Sequence, residues 1–384
     1  MDEIKFIPTE RLFKDIKEVM IPRLHSLYSG KIDGKGSGSS GSKHFADRYT
    51  KMCEEKINSL INRRYTLLTT SGTASITLML MAKGIGPGDE VICTNYSCPA
   101  TVMPIKMLGA KPVFIDLNKY GQQDLTSIKS LISSKTKAIM ITDLYGDCND
   151  YDEVLDLGIP ILNDSAQSLL TTYKGKQTLS LGDMSILSFS TNKNCPVFGT
   201  HGSISTDNEE LARILTVMRK NGYANRDVGE SINCIGINAY PSEDKGVQLL
   251  CSLEMLDKWQ ARRQEIADLY KEKLINVGVA IRPSPEFSVS NNHKFVILVA
   301  NKQDFRDKMF DQGVETQLHY TYNFMKTPVL SNDTAKNMPG TEFYQKHAIS
   351  IPSNPWLSDK ETVHVIEAIK KCLTKEDQAL CEIM

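Results

Sequence analysis

The sequence predicts an α/β protein with a large domain, built on a mainly parallel sheet covered by helices, and a smaller C-terminal α/β domain. Three observations carry this. Short runs rich in β-branched residues, at 65–70, 90–94, 111–116, 137–142 and 159–163, alternate with helical segments or longer connections. A long helical stretch, 246–277, then leads into a second, shorter alternation of helices and strands. The 384 residues are too many for one small core and enough for two domains sharing one site.

The elements follow in order. Residues 1–50 read as an arm: 11–27 has mixed helical periodicity, and 35–43 is a Gly/Ser-rich loop, a flexible connector or a lid near a substrate. Residues 48–62 form an amphipathic helix, 65–70 a strand and 74–83 a helix. Helical segments are predicted at 100–108 and 124–132 between strands, and a further helix at 207–221. Residues 223–246 are polar and irregular. In the C-terminal part, strands fall near 293–300 and 315–318, and helices near 304–311 and 360–372. The resulting division is 1–50 as arm and loop, 51–245 as the large domain, and 246–384 as the linking helix with the small domain.

Composition bounds the function. With 45 basic and 46 acidic side chains, the chain has no global charge that would draw nucleic acid or an anionic membrane. No apolar run is long enough to span a bilayer, and Met1-Asp2-Glu3-Ile4-Lys5 lacks the regions of a signal peptide. The nine cysteines show no metal-ligand spacing and read as reduced thiols, so a cytoplasmic protein without a metal is expected. The terminal Cys381-Glu382-Ile383-Met384 matches a prenylation box, but nothing upstream is polybasic.

The chemistry concentrates around Lys193. The run 184–190 reads as a buried strand, and Lys193 lies just beyond its carboxyl end, where open α/β sheets place ligands. About thirty residues earlier another core strand runs into Asp164. An amine and a carboxylate at two strand ends suit pyridoxal 5′-phosphate (PLP), whose aldehyde takes a lysine and whose ring nitrogen takes a carboxylate. Asp164 would keep that nitrogen protonated. Gln167 is three residues on and in reach of the ring's phenolic oxygen. Ser71-Gly72-Thr73 opens a helix whose amino end suits phosphate, with the Thr73 and Ser188 hydroxyls adding hydrogen bonds. Each residue has a plainer reading: an N-cap for Ser-Gly-Thr, a turn residue for Asp164, a surface amide for Gln167 and a solvated charge for Lys193. No Gly-x-Gly-x-x-Gly opens a βαβ unit, which disfavours a nucleotide-dependent dehydrogenase.

Together, Ser71-Gly72-Thr73-Ala74-Ser75, the run 84–92, Leu144-Tyr145-Gly146, Asn163-Asp164-Ser165-Ala166-Gln167, the run 188–194, Gly236-Ile237-Asn238 and His319-Tyr320 resemble the DegT/StrS group of sugar-nucleotide aminotransferases. These are PLP enzymes of fold type I, similar to aspartate aminotransferase, and the resemblance covers about 25–372. It implies Lys193 as the Schiff-base lysine and Asp164 as pyridinium partner. It also places Gln167 on the phenolic oxygen and Gly72, Thr73 and Ser188 on the phosphate. It implies a homodimer in which Asn238 reaches the partner subunit's phosphate, and residues of His319-Tyr320 near the sugar nucleotide. The implied reaction moves an amino group from L-glutamate, through pyridoxamine phosphate, to a keto sugar nucleotide. The first expectation is C4 of a dTDP-4-keto-6-deoxyhexose, as in amino sugars of O-antigen, other surface polysaccharide or natural products, with a 3-keto sugar as alternative.

The chain departs from the family pattern in three places. The slot for an aromatic that stacks on the ring aligns with Cys98, with Tyr96 two residues before; either the thiol packs there or Tyr96 swings in. Asn163 replaces a common Glu. Tyr240 stands where the family has Arg after Asn238. A PLP-dependent dehydratase on the same fold replaces the lysine with histidine, so Lys193 argues against it. Retention of Lys193, Asp164 and the phosphate cradle argues against a non-catalytic regulator.

Overall fold

The architecture is that of a computed structural model describing residues 3–29, 47–223, 232–330 and 337–383. The Gly/Ser loop at 35–43 lies outside the described residues.

Strands β1 (Tyr65–Thr69), β2 (Glu90–Thr94), β3 (Lys111–Ile115), β4 (Thr136–Thr142) and β5 (Ile161–Asp164) enter one sheet. Two short pairs of residues, β6 (Thr172–Tyr173) and β7 (Lys176–Gln177), form a side hairpin. The main sheet is completed by β8 (Met184–Ser188) and β9 (Gly202–Thr206), in the order β1-β9-β8-β5-β4-β2-β3. Neighbours from β3 through β8 pair parallel, whereas β9 runs antiparallel to both β8 and β1. The sheet is therefore mainly parallel, and its strands are continuous apolar runs because both faces are covered.

Helices α1 (Thr9–Tyr28), α2 (Arg48–Ile61), α3 (Gly72–Ala82), α4 (Pro99–Met107) and α5 (Glu209–Met218) belong to this part of the chain. On α3 nearly every turn is apolar and buried, since it packs between the sheet and α4. Its start is set by Ser71, whose Oγ accepts from the Ala74 N–H at 3.1 Å. Helix α6 (Glu243–Ile275) is 33 residues long and joins two cores. Val247, Leu250, Leu256 and Trp259 enter the cluster with α1 and α2, and Ile266, Tyr270 and Leu274 enter the C-terminal core.

That second core carries β10 (Ala280–Ile281), β12 (Phe295–Leu298) and β13 (Ala348–Ile351), an antiparallel sheet in the order β10-β12-β13. Between them β11 (Ser288–Val289) pairs instead with β6. Helices α7 (Lys302–Asp311), α8 (Pro339–His347), α9 (Asp359–Cys372) and α10 (Lys375–Ile383) complete it. A full capping box, with Ser358 and Glu361 exchanging hydrogen bonds, starts α9.

Two expectations are corrected, while the helical segment expected at 124–132 is a 3₁₀ helix over Leu125–Leu131. Its buried Leu125 and Ile128 stand three apart, which suits three residues per turn. Residues 315–318 form no strand: Gln317 alone pairs with Ser350, and Val314 pairs with Ile4 from the N-terminus. The N-terminal segment is part of the core, not an arm. Leu12, Ile16 and Met20, four apart, are buried against α6, and Asp15 accepts from both indoles, Trp259 Nε1 at 2.8 Å and Trp356 Nε1 at 3.0 Å.

Candidate active site

A cavity of about 220 Å³ opens at the carboxyl ends of the parallel strands. Ser71, Gly72 and Thr73 line it from the amino end of α3, Asp164 from the end of β5, Ser188 from the end of β8, and Lys193 from the following loop. Cys98 and Gln167 also face it. Four segments far apart in sequence thus converge because each follows a strand of one sheet.

The amino end of α3 is held tightly. A Cβ at Gly72 would stand 3.1 Å from Ser188 Cβ, and one at Gly202 would stand 2.6 Å from the Ser71 carbonyl carbon. Small residues at both positions let the helix end sit directly over β8 and β9, with its free N–H groups toward the cavity.

Asp164 is buried. Its Oδ2 accepts from Thr101 Oγ1 at 2.6 Å, and its Oδ1 from the Ala166 N–H at 3.2 Å. Thr101 in turn accepts from Ser97 Oγ at 2.7 Å. Burial pushes the Asp164 carboxyl up from its ordinary value, and those hydrogen bonds and the Lys193 charge pull it back. The Lys193 amine is half-buried, and burial pushes it down against the pull of Asp164. It is not the exposed, solvated amine of the plain sequence reading. A buried carboxylate pushed up and an amine pushed down face a common cavity, where groups able to give and take protons are useful.

Gln167 is buried and not a surface amide. Its Oε1 accepts from the Tyr145 N–H at 2.9 Å, and its Nε2 donates to the Tyr320 hydroxyl at 2.9 Å. The second amide hydrogen remains for a ligand. Tyr320 reaches the site through this bond. His319 is half-buried, with Nδ1 3.0 Å from Ser350 Oγ and its carbonyl accepting from Tyr145 Oη at 2.7 Å.

Of Cys98 and Tyr96, the cavity is lined by Cys98. Cys98 is exposed at the start of α4 and lines the cavity. Tyr96 is fully buried in another cluster, with its hydroxyl donating to the His319 carbonyl and accepting from the Tyr320 N–H at 2.5 Å. Of the two alternatives left by the sequence, Tyr96 is the one not at the cavity: two backbone groups and the Tyr145 hydroxyl hold its phenol elsewhere. Asn238 is exposed and does not line the cavity; it pairs with Lys220. The Tyr240 ring carries Lys220 Nζ 4.4 Å and the Arg219 guanidinium carbon 4.9 Å from its centroid, so cations remain next to the position that lacks an arginine.

Sequence reasoning missed Thr101 and Ser97. Only α4 docking beside β5 brings a threonine 63 residues away onto Asp164. Among the described residues no group of His, Cys, Asp or Glu is arranged to hold a metal ion. No helix of the described residues is long and apolar enough to cross a membrane.

Fold and site define an α/β protein with a lysine and a buried carboxylate facing one cavity under a helix amino end. Residues 40–370 match the model of the DegT/DnrJ/EryC1/StrS aminotransferase family, and the chain belongs to that family. It is 31% identical to the dTDP-3-amino-3,6-dideoxy-alpha-D-galactopyranose transaminase of Aneurinibacillus thermoaerophilus, over 83% of this chain and 88% of that one. It is 29% identical to the UDP-2-acetamido-2-deoxy-3-oxo-D-glucuronate aminotransferase of Pseudomonas aeruginosa, over 82% of this chain and 87% of that one. The crystal structure of ntda from Bacillus subtilis with bound cofactor PMP superposes with a TM-score of 0.84 at 25% identity, covering 97% of this chain and 85% of that one.

Proposed function

We propose that the protein is a PLP-dependent aminotransferase that passes an amino group from L-glutamate to a keto sugar nucleotide in the cytoplasm. The observation that carries this is the placement of Lys193 and buried Asp164 on one cavity beneath the amino end of α3. The cavity fits the cofactor in chemistry as well as place: helix N–H groups for a phosphate, a carboxylate for a ring cation, an amide for an oxyanion and an amine for the aldehyde. Bound there, PLP supplies the electron sink that amino-group exchange needs.

The chain's own residues do the rest. Gly72, Thr73 and Ser188 hold the phosphate. Asp164, ionised beside a cation and fixed by Thr101, holds the proton on the ring nitrogen. Gln167 donates its free amide hydrogen to the phenolic oxygen. Cys98 packs on the ring face. Lys193 would hold the cofactor's aldehyde, and its Nζ would take a proton from the reacting carbon and return one. Burial pushes that amine down, which favours its neutral form. His319 and Tyr320 border the sugar side. Asn238 completes the phosphate site of a second copy in a homodimer, and residues 51–245 and 246–384 act as the cofactor-binding and small domains.

Both relatives described above carry 3-oxo or 3-amino in their names. That favours a 3-keto sugar nucleotide over the 4-keto-6-deoxyhexose expected from sequence. The test is direct. Protein with added PLP should absorb in the visible, borohydride should fix the cofactor to the peptide containing Lys193, and L-glutamate should bleach the band. A panel of 3-keto and 4-keto sugar nucleotides then reads the acceptor. Labelling of a different lysine would remove Lys193 from the reaction.

A further inference from the structure

Gln167 belongs to a closed ring of hydrogen bonds built from four segments of the chain. The Tyr145 N–H donates to Gln167 Oε1 at 2.9 Å, and Gln167 Nε2 donates to Tyr320 Oη at 2.9 Å. The Tyr320 N–H donates to Tyr96 Oη at 2.5 Å, and Tyr145 Oη lies 3.2 Å from that same oxygen.

The polarity of the ring is fixed at one point. A backbone N–H can only donate, so the amide oxygen must face Tyr145 and the amide nitrogen must face Tyr320. Tyr320 Oη is therefore the acceptor. Burial pushes the Tyr320 phenol well above its ordinary value, so it stays a neutral hydroxyl. One amide hydrogen is used on Tyr320, which leaves the other for the cavity, and Gln167 lines that cavity while Tyr320 does not.

Tyr320 is itself held from other sides. Its ring meets the Tyr96 ring edge-on, 5.5 Å between centroids, and its carbonyl accepts from Lys302 Nζ at 3.4 Å. Gln167 follows β5 of the large sheet, whereas Tyr320 lies between α7 and α8. The terminal torsion of a glutamine is soft. With the oxygen alone anchored, the nitrogen could turn from the cavity; the second anchor on Tyr320 prevents this.

We propose that Tyr320 is a positioning residue that aims the free Gln167 amide hydrogen at the phenolic oxygen of bound PLP and so sets the proton affinity of the bound cofactor. This rests on the aminotransferase reading and adds the group that orients one of its donors. A donor on the phenolic oxygen draws electron density from the nitrogen conjugated with it. A looser donor lets that nitrogen keep its proton to higher pH.

The experiment uses the PLP-loaded full chain, its Tyr320→Phe and Gln167→Ala variants, and the double variant. Phenylalanine keeps the ring and the backbone N–H and removes only the hydroxyl. The readout is the pH at which the visible band is half converted. Tyr320→Phe should move that midpoint up by about 0.3 to 1 unit and weaken PLP by about 2- to 10-fold in a fluorescence titration. Gln167→Ala should move it up at least as far, and adding Tyr320→Phe to Gln167→Ala should move it no further. An unchanged midpoint in Tyr320→Phe would overturn the proposal, as would a shift of equal size in both backgrounds. If Tyr320→Phe does not fold, hydrogen-exchange NMR of the Gln167 side-chain amide in wild type decides. One slowly exchanging hydrogen without PLP and two with it are expected; two rapidly exchanging hydrogens without PLP would overturn the proposal. Wild type that takes up no PLP would retire the aminotransferase reading and the proposal together, whereas a normal band indifferent to Tyr320→Phe would retire the proposal alone.

Discussion

At the scale of single residues, the environment of two ionisable groups sets the chemistry. Lys193→Ala should lower amino transfer by about 1,000-fold or more, since among the described residues no other amine lines the main cavity. Cofactor titration and sedimentation check that the variant still folds. Asp164→Asn should cost about 100-fold, because an amide cannot hold a ring cation. Thr101→Val removes the 2.6 Å donor to that carboxylate. It should raise Asp164 further and weaken cofactor binding by about tenfold, read as a shifted pH profile of the visible band. An unchanged profile would show that Thr101 does not tune Asp164. His201 offers a separate test. Burial lowers its pKa from 6.5 to about 4, and its Nε2 has no partner. The unfolded chain therefore binds the extra proton between those values. Stability is full above pH 6.5 and falls toward pH 4, by roughly 3 kcal/mol from this group. Denaturant unfolding across that range, compared with His201→Gln, measures it, and parallel curves would exclude His201 as the cause.

At the scale of elements, α1 and α6 decide how the two cores meet. Helix α6 contributes to both, and α1 packs along it through Leu12, Ile16 and Met20. Ile16→Ala should cost about 2–4 kcal/mol in denaturant unfolding, the range for a large aliphatic truncated in a packed interior. A loss below about 1 kcal/mol would return the segment to the loosely attached arm read from sequence. That reading failed for a definable reason. The apolar stripe of α1 is visible in its spacing, but its partner is a helix more than 220 residues away. Similarly, the strand expected at 315–318 has suitable residues, yet the neighbouring backbone positions are taken by Ile4 and only Ser350 is left to pair.

At the scale of the whole molecule, the proposed function predicts a homodimer whose site is completed by a second copy. Asn238 is exposed on the described surface and away from the cavity of its own chain. Closed two-fold symmetry would exchange such residues reciprocally. A homodimer is expected by sedimentation. Mixing Lys193→Ala with Asn238→Ala protomers should restore up to about a quarter of the activity, since one mixed site in each heterodimer carries neither substitution. Failure of mixing to restore any activity, with subunit exchange demonstrated, would place Asn238 outside the shared site.

The amino-acid sequence alone determined the sheet-and-helix alternation and singled out Lys193, Asp164, Gln167, Gly72, Thr73 and Ser188, which line one cavity. Those features are local: strand periodicity, helix starts and residue types at strand ends depend on neighbours a few positions away. Only the tertiary structure decided that Cys98 and not Tyr96 faces the cavity, that Thr101 braces Asp164, and that Tyr145 and Tyr320 hold the Gln167 amide between them. Each depends on side chains brought together from distant segments, where burial and the partners actually within reach determine which way a group points and what charge it can carry.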